Sequence, residues 1–136
     1  MKTGSCLCGA VKYEVHGELR SVIACHCLQC RKQTGTYMSA TATLDGNLKI
    51  VEGRGLKWYR SSIKAQRGFC GDCGSPLFWK GDGLDYTSIT AGSLDGATGL
   101  PLEGHIYCKS AGDYYVIAGG GYRMDTWDQP QTRRTT

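Results

Sequence analysis

The chain has 136 residues, which is room for one domain core but not for two independent ones. With 40% hydrophobic and 21% charged residues the composition is that of a globular protein. The net charge of +4 comes from scattered Lys and Arg, which excludes a basic nucleic-acid stripe. No run approaches the roughly 20 apolar residues of a membrane span, and the first residues, MKTGSCLCGA, lack the apolar stretch of a signal peptide, so a cytoplasmic protein is expected. In chain order, AVKYEVHG (10–17) alternates Val11, Tyr13 and Val15 against Lys12, Glu14 and His16, the period of a half-buried strand. A short helix is expected from just after Cys27 to about Gln33, stopped by the next glycine. TYMSATATL (36–44), LKIVEG (48–53), LKWYRSS (56–62), PLFWKG (76–81), YTSITAGSL (86–94) and DYYVIAGG (113–120) read as further strands, separated by Gly, Asp or Asn. The expected architecture is therefore mainly β in a single domain over residues 1–127, with a flexible tail at 128–136 where no apolar residue offers an anchor.

Eight cysteines carry most of the chemical information. In an oxidising compartment an even number suggests disulfides, and in a reducing one clustered cysteines suggest metal. Cys6/Cys8 and Cys25/Cys27 stand too close in sequence to bridge comfortably within each pair, which favours metal. In the extended CLC segment Cys6 and Cys8 present both sulfurs on one face, and Cys70 and Cys73 form a C-x-x-C turn with glycines at 71 and 74. Together the two pairs supply four thiolates, the tetrahedral complement of a structural zinc site. A redox role for Cys70 and Cys73 would require a helix start in a βαβ setting, which the surrounding strands and turns do not suggest.

CHCLQC (25–30) contributes Cys25, Cys27 and Cys30 as three sulfurs from one segment. Three protein ligands with a fourth position left to water or substrate is the usual construction of a catalytic zinc, so two zincs per chain are expected, with an iron–sulfur cluster as the alternative for the C-x-C-x2-C group. His26 would face away from the cysteines on either side and hydrogen-bond to backbone. Cys108 either completes a second closed site or is an ordinary buried cysteine.

The motifs GSCLCGAVKYEV, CHCLQCRKQTG, RGFCGDCGSPLFW and TAGSLDG…LEGHIYCKS, in this order, resemble the family of glutathione-dependent formaldehyde-activating enzymes, which shares a domain with centromere protein V. The resemblance covers roughly residues 3 to 127. It implies an Mss4-like fold, with antiparallel sheets bent around a structural zinc held by Cys6, Cys8, Cys70 and Cys73. It also implies a catalytic zinc on Cys25, Cys27 and Cys30, with Cys108 in neither set, and an activity joining formaldehyde to glutathione as S-hydroxymethylglutathione.

The expected function is then a zinc-dependent carbon–sulfur lyase acting on a small-molecule thiol and aldehyde, with a zinc-stabilised binding module and a thiol redox or metal-storage protein as rivals. The binding module predicts a second metal site closed by Cys108 and no substrate-sized pocket beside it. For a glutathione-like substrate, Arg31 and Lys32 are candidate carboxylate partners and His105 a candidate acid or base. Arg67 precedes the Cys70 turn, and Trp58, Tyr59 and Trp79 are candidates to wall a cleft.

Overall fold

The computed structural model describes residues 1–127; the tail expected at 128–136 lies outside the described residues. Two sheets make up the fold. The smaller, in the order β1-β2-β5, consists of β1 (Lys2–Ser5), β2 (Lys12–Val15) and β5 (Leu48–Glu52). The larger runs β11-β10-β3-β4-β9-β8-β7-β6. It comprises β11 (Tyr122–Arg123), β10 (Leu102–Ile106), β3 (Val22–Cys25), β4 (Met38–Leu44), β9 (Tyr86–Thr90), β8 (Pro76–Gly81), β7 (Ala65–Cys70) and β6 (Leu56–Ser62). Every pairing is antiparallel except those of β10 with β3 and β11, which are parallel. The mainly β architecture is as expected and is compatible with an Mss4-like fold.

The alternation read in 10–17 is realised: Val11, Tyr13 and Val15 are buried while Lys12 and His16 face solvent. These residues build one core with Leu77, Phe78, Ile89 and Leu94, and Cys6 and Cys70 belong to it. Two members of the first cysteine cluster are thus embedded in the packing that joins the two sheets, while Cys8 is exposed.

The single α-helix among the described residues, α1 (Leu28–Thr34), starts and stops where its caps dictate. Cys27 is the extended N-cap, its sulfur accepting from the Cys30 N–H at 3.4 Å. Gly35 ends it with φ 94°, a left-handed conformation that a side chain would resist, and returns its N–H to Arg31 O at 2.7 Å.

One expected strand is absent. Residues 113–120 have aromatic and β-branched content but form turns and irregular chain, with Tyr114 and Val116 exposed. Their aromatic rings serve side-chain contacts instead: Tyr115 hydroxyl meets His26 Nδ1 at 2.7 Å, and Tyr114 hydroxyl donates to Gly35 O. Conversely β1, β3, β7, β10 and β11 were not expected, for reasons of composition. β3 is buried nearly throughout and shows no alternation, β10 carries Glu103, Gly104 and His105, and the inward face of β7 includes Arg67.

Candidate metal centres and active site

The folding of the chain brings Cys6, Cys8, Cys70 and Cys73 into one group whose sulfurs all lie within 4.8 Å of one another. The local geometry follows from two tight turns. Cys6 N–H donates to Val11 O and Val11 N–H to Cys6 Sγ at 3.2 Å, while Gly74, with φ 81°, closes the second turn by donating to Cys70 O at 2.8 Å. Cys6–Cys8 and Cys8–Cys70 are both 3.7 Å apart, sulfur to sulfur. A tetrahedral ion with metal–sulfur bonds of about 2.3 Å requires edges of about 3.8 Å, so this group could hold such an ion, consistent with zinc. All eight cysteines are free thiols in the structure. The Ser75 hydroxyl, 3.2 Å from Cys73 Sγ, and the Ser75 backbone hold the Cys73 thiol down at about 5, well within reach of the thiolate form a metal requires.

The second group lies at the junction of β3 and α1. Cys25 ends the strand, Cys27 caps the helix and Cys30 occupies its first turn, so residues two apart in extended chain and three apart in helix converge on one point. Their sulfurs too lie within 4.8 Å of one another, and no fourth Cys, His, Asp or Glu among the described residues joins them. Cys108 lies in a separate 3-10 turn (Cys108–Ser110) and belongs to neither group. Thiol hydrogen bonds from Cys25 and Cys30 push the Cys27 thiol far down, whereas hydrogen bonding to Cys27 and Cys30, followed by burial, pushes Cys25 up.

Beside this trio opens a cavity of about 550 Å³. Cys25, Cys27 and Cys30 contribute to its lining, as do Trp79 and Arg67; Trp58, Tyr59, Arg31, Lys32 and His105 do not. Arg31 is half-buried, its Nη1 3.5 Å from Ser110 O, and Lys32 is exposed. The two cationic side chains of the lining are Arg20 and Arg67, both buried. Arg67 is held by the helix: its Nε donates to Gln29 Oε1 at 3.1 Å, and its Nη1 donates to Gln33 Oε1 at 2.9 Å and lies 3.5 Å from Cys30 Sγ. Gln29 in turn donates to Ser61 O, tying α1 to β6.

His26 does face away from the cysteines, but its partners are side chains rather than backbone. It is fully buried, with Nε2 3.0 Å from His105 Nδ1 and Nδ1 on the Tyr115 hydroxyl. Burial is the largest influence lowering both imidazole pKa values, and Arg123 adds to it, so the pair is neutral. It lies behind the ligand segment and braces it.

Arg20 and Tyr107 are lining residues that sequence reasoning missed. Nothing in GELRSV marks Arg20 as buried. Tyr107 directly follows His105 and Ile106, and it is the one non-glycine residue with positive φ among the described residues, at 55°. Such a conformation is uncommon outside Asn, Asp and Gly and recurs at functional sites. Because Ile106 pairs with Cys25 across the β3–β10 ladder, the turn at Tyr107 brings its phenol into the cavity near the cysteines. Burial first, then the charge of Cys25, Cys27 and Cys30, raises the Tyr107 pKa, so the phenol keeps its proton.

Residues 1–110 match the family model described as glutathione-dependent formaldehyde-activating enzyme. The chain belongs to this family. It is also similar to an uncharacterised lyase of Schizosaccharomyces pombe, 26% identical over 117 residues that cover 85% of this chain and 84% of the relative. A solved protein structure from Rhodobacter sphaeroides superposes with a TM-score of 0.61 at 25% identity, covering 74% of this chain and 98% of that one. The family match ends at residue 110, whereas Tyr115, which braces His26, and Trp127, which lines the cavity, lie beyond it. No helix among the described residues is long and apolar enough to cross a membrane.

Proposed function

We propose that the protein is a zinc-dependent carbon–sulfur lyase that adds a thiol to a small aldehyde, or runs the reverse cleavage. The observation that carries this reading is the open trio of Cys25, Cys27 and Cys30 at a cavity large enough for a substrate. A binding module would have the second cluster closed by Cys108, which stands apart from it. Family membership and the lyase-named relative support the same choice. On this reading Cys6, Cys8, Cys70 and Cys73 hold a structural zinc and Cys25, Cys27 and Cys30 a catalytic one.

Zinc on the open trio would supply a thiol-binding position that lowers the pKa of the substrate thiol from about 8.5 and holds its sulfur as a nucleophile. The chain's own residues do the rest. Three thiolates on a divalent ion leave one net negative charge, and the Arg67 guanidinium beside Cys30 offsets it. Gln29 and Gln33 fix the orientation of Arg67. The apolar wall excludes water and favours an aldehyde held close to the sulfur. As the C–S bond forms, the carbonyl π-electrons move onto oxygen. The Tyr107 phenol donates a hydrogen bond to that oxygen, and the proton lost from the thiol ends there as the hemithioacetal hydroxyl. Eight cysteines with none in a disulfide suit the reducing cytoplasm, where we place this chemistry.

The deciding experiment is metal analysis of the purified chain combined with a screen of thiol and aldehyde pairs, beginning with glutathione and formaldehyde, which the family name supplies. Two zincs per chain and thiol-dependent loss of aldehyde that disappears in Cys27→Ser are expected. A trio that retains its metal until the fold collapses, with no turnover of any pair, would replace this reading with a binding module.

A further inference from the structure

The chain continues past the family match, and the segment that follows residue 110 is built onto the site. Residues 111–127 are mostly exposed, yet their far end is fixed against β10. Tyr122 and Arg123 pair with Gly104 and His105, and the Met124 N–H donates to His105 O at 2.9 Å. Beyond the strand, Cys108 N–H donates to Met124 O at 2.9 Å and Lys109 N–H to Asp125 O at 3.4 Å. Two close approaches seat this strap. The Tyr122 ring occupies the space in which a side chain on Gly104 would stand, and a Cβ on Gly121, whose φ is 88°, would collide with the Glu103 carbonyl. The Tyr122 hydroxyl adds a hydrogen bond to Glu103 Oε2 at 2.8 Å. Because β10 also pairs with β3, Ile106 opposite Cys25, the strap is held in register with the cysteine trio. The two chains run on to the cavity, where Ser110 and Trp127 both contribute to the wall. Trp127 is half-buried and stands outside the core that joins the two sheets, so the packing of that core does not account for a tryptophan here. Its indole instead completes an aromatic wall with Phe78, Trp79, Tyr86 and Tyr107.

We propose that Trp127 is a specificity-determining residue: it receives the body of the aldehyde substrate, an aryl group, while the carbonyl stands at Tyr107 and the cysteine trio. The position of the carbonyl rests on the lyase reading; the aromatic subsite does not. Tyr107 is followed directly by the Cys108–Ser110 turn, and that turn is the part of the chain to which the strap bonds just before Trp127. A group carried on the aldehyde carbon therefore has the strap indole within the same end of the cavity. Formaldehyde carries no such group and would leave most of the wall of this cavity of about 550 Å³ untouched by the aldehyde. An aryl ring removes indole and phenyl surface from water and gains the offset or edge-on contacts that aromatic rings prefer. The strap is also suited to such selection, since a side chain on a mostly exposed segment can change without disturbing either the core or the cysteine groups.

The test titrates the zinc-loaded full chain with benzamide and with formamide, neutral carbonyl compounds that are inert to a thiol and differ in the body alone. Calorimetry reads the affinity, and NMR of the indole N–H signals reads the place of binding. Benzamide is expected to bind at least about tenfold more tightly than formamide and to shift the signals of Trp79 and Trp127, the two tryptophans of the lining. Trp127→Ala should weaken benzamide at least about fivefold with circular dichroism and metal content retained, and Trp127→Phe, which keeps a ring, should recover most of that affinity. Equal affinities for the two amides would overturn the proposal, as would unchanged benzamide affinity in folded Trp127→Ala. Should Trp127→Ala fail to fold, the parent chain decides: a Trp127 indole signal unmoved at saturating benzamide overturns the proposal. Turnover assays run alongside separate the two readings. Benzamide binding that depends on Trp127, without turnover of any thiol–aldehyde pair, sinks the lyase reading and keeps the aromatic subsite. With turnover, Trp127→Ala should raise the KM for benzaldehyde and alter kcat little; an unchanged KM keeps the lyase reading and sinks the subsite.

Discussion

The two cysteine groups are built in opposite ways from the same residue type. Cys6, Cys8, Cys70 and Cys73 come from two turns distant in sequence, and two of them, Cys6 and Cys70, are part of the core between the sheets. Cys25, Cys27 and Cys30 come from six consecutive residues and lie at a cavity wall. An ion that ties distant segments together substitutes for core packing, whereas an ion held by one local segment leaves the fold nearly independent of it and has a coordination position to offer. On the proposed reading, fold and chemistry are thereby divided between the two groups.

The largest effect should come from breaking the first group. Structural zinc binds with an apparent free energy of about 10–16 kcal/mol, against a net stability of about 5–15 kcal/mol for a whole domain. Cys70→Ser should therefore abolish the folded state, and far-ultraviolet circular dichroism should show it; a folded Cys70→Ser chain would mean that the sheets pack adequately without the metal. Next in size, Cys27→Ser should remove one metal per chain and reduce turnover at least about 10²-fold, while the circular dichroism spectrum is retained. Collapse of the fold in that variant would erase the division. Mild chelation followed by metal analysis sharpens the same comparison: the ion of the trio should leave first, with the fold intact.

Smaller effects probe the surroundings of the open group. Tyr107→Phe should lower kcat about 10²-fold, the size associated with losing one preorganised donor, with little change in metal content. A kcat close to that of the parent chain would leave the phenol a wall residue. The smallest effect concerns pH. Burial depresses the His105 pKa below its unfolded value, so its neutral form stabilises the folded state fully above about pH 6.5. That contribution is lost as pH falls below 6.5 toward the depressed folded value. Thermal melts of metal-loaded protein between pH 7.5 and 5 should show a falling Tm, less so in His105→Gln; an identical fall in both would assign the loss to other groups.

Residue by residue, what was legible followed simple local rules. The buried face of β2, the span of α1 with its stop at Gly35, and both cysteine groups could be read because each depends on spacing within a few residues or on matching ligand sets. β7 and β10 were hidden because Arg67 and His105 are buried polar residues at positions where a sequence pattern expects apolar ones. The aromatic run at 113–120 misled in the other direction, since its rings satisfy His26 and Gly35 rather than a ladder.

The candidate cations show the limit most clearly. Arg31 and Lys32 are adjacent to Cys30 in sequence, yet on α1 they point away from the wall that Cys30 reaches, because neighbours on a helix diverge by about 100°. Arg67 is remote in sequence and becomes the neighbour of Cys30 through sheet pairing and the Gln29 and Gln33 amides. Sequence alone determined the two cysteine groups and the β class, since cysteine clustering and alternation are encoded by residue type and short spacing. Only the tertiary structure decided which charges face the cavity and that Tyr107 turns into it, because those depend on which strands lie side by side.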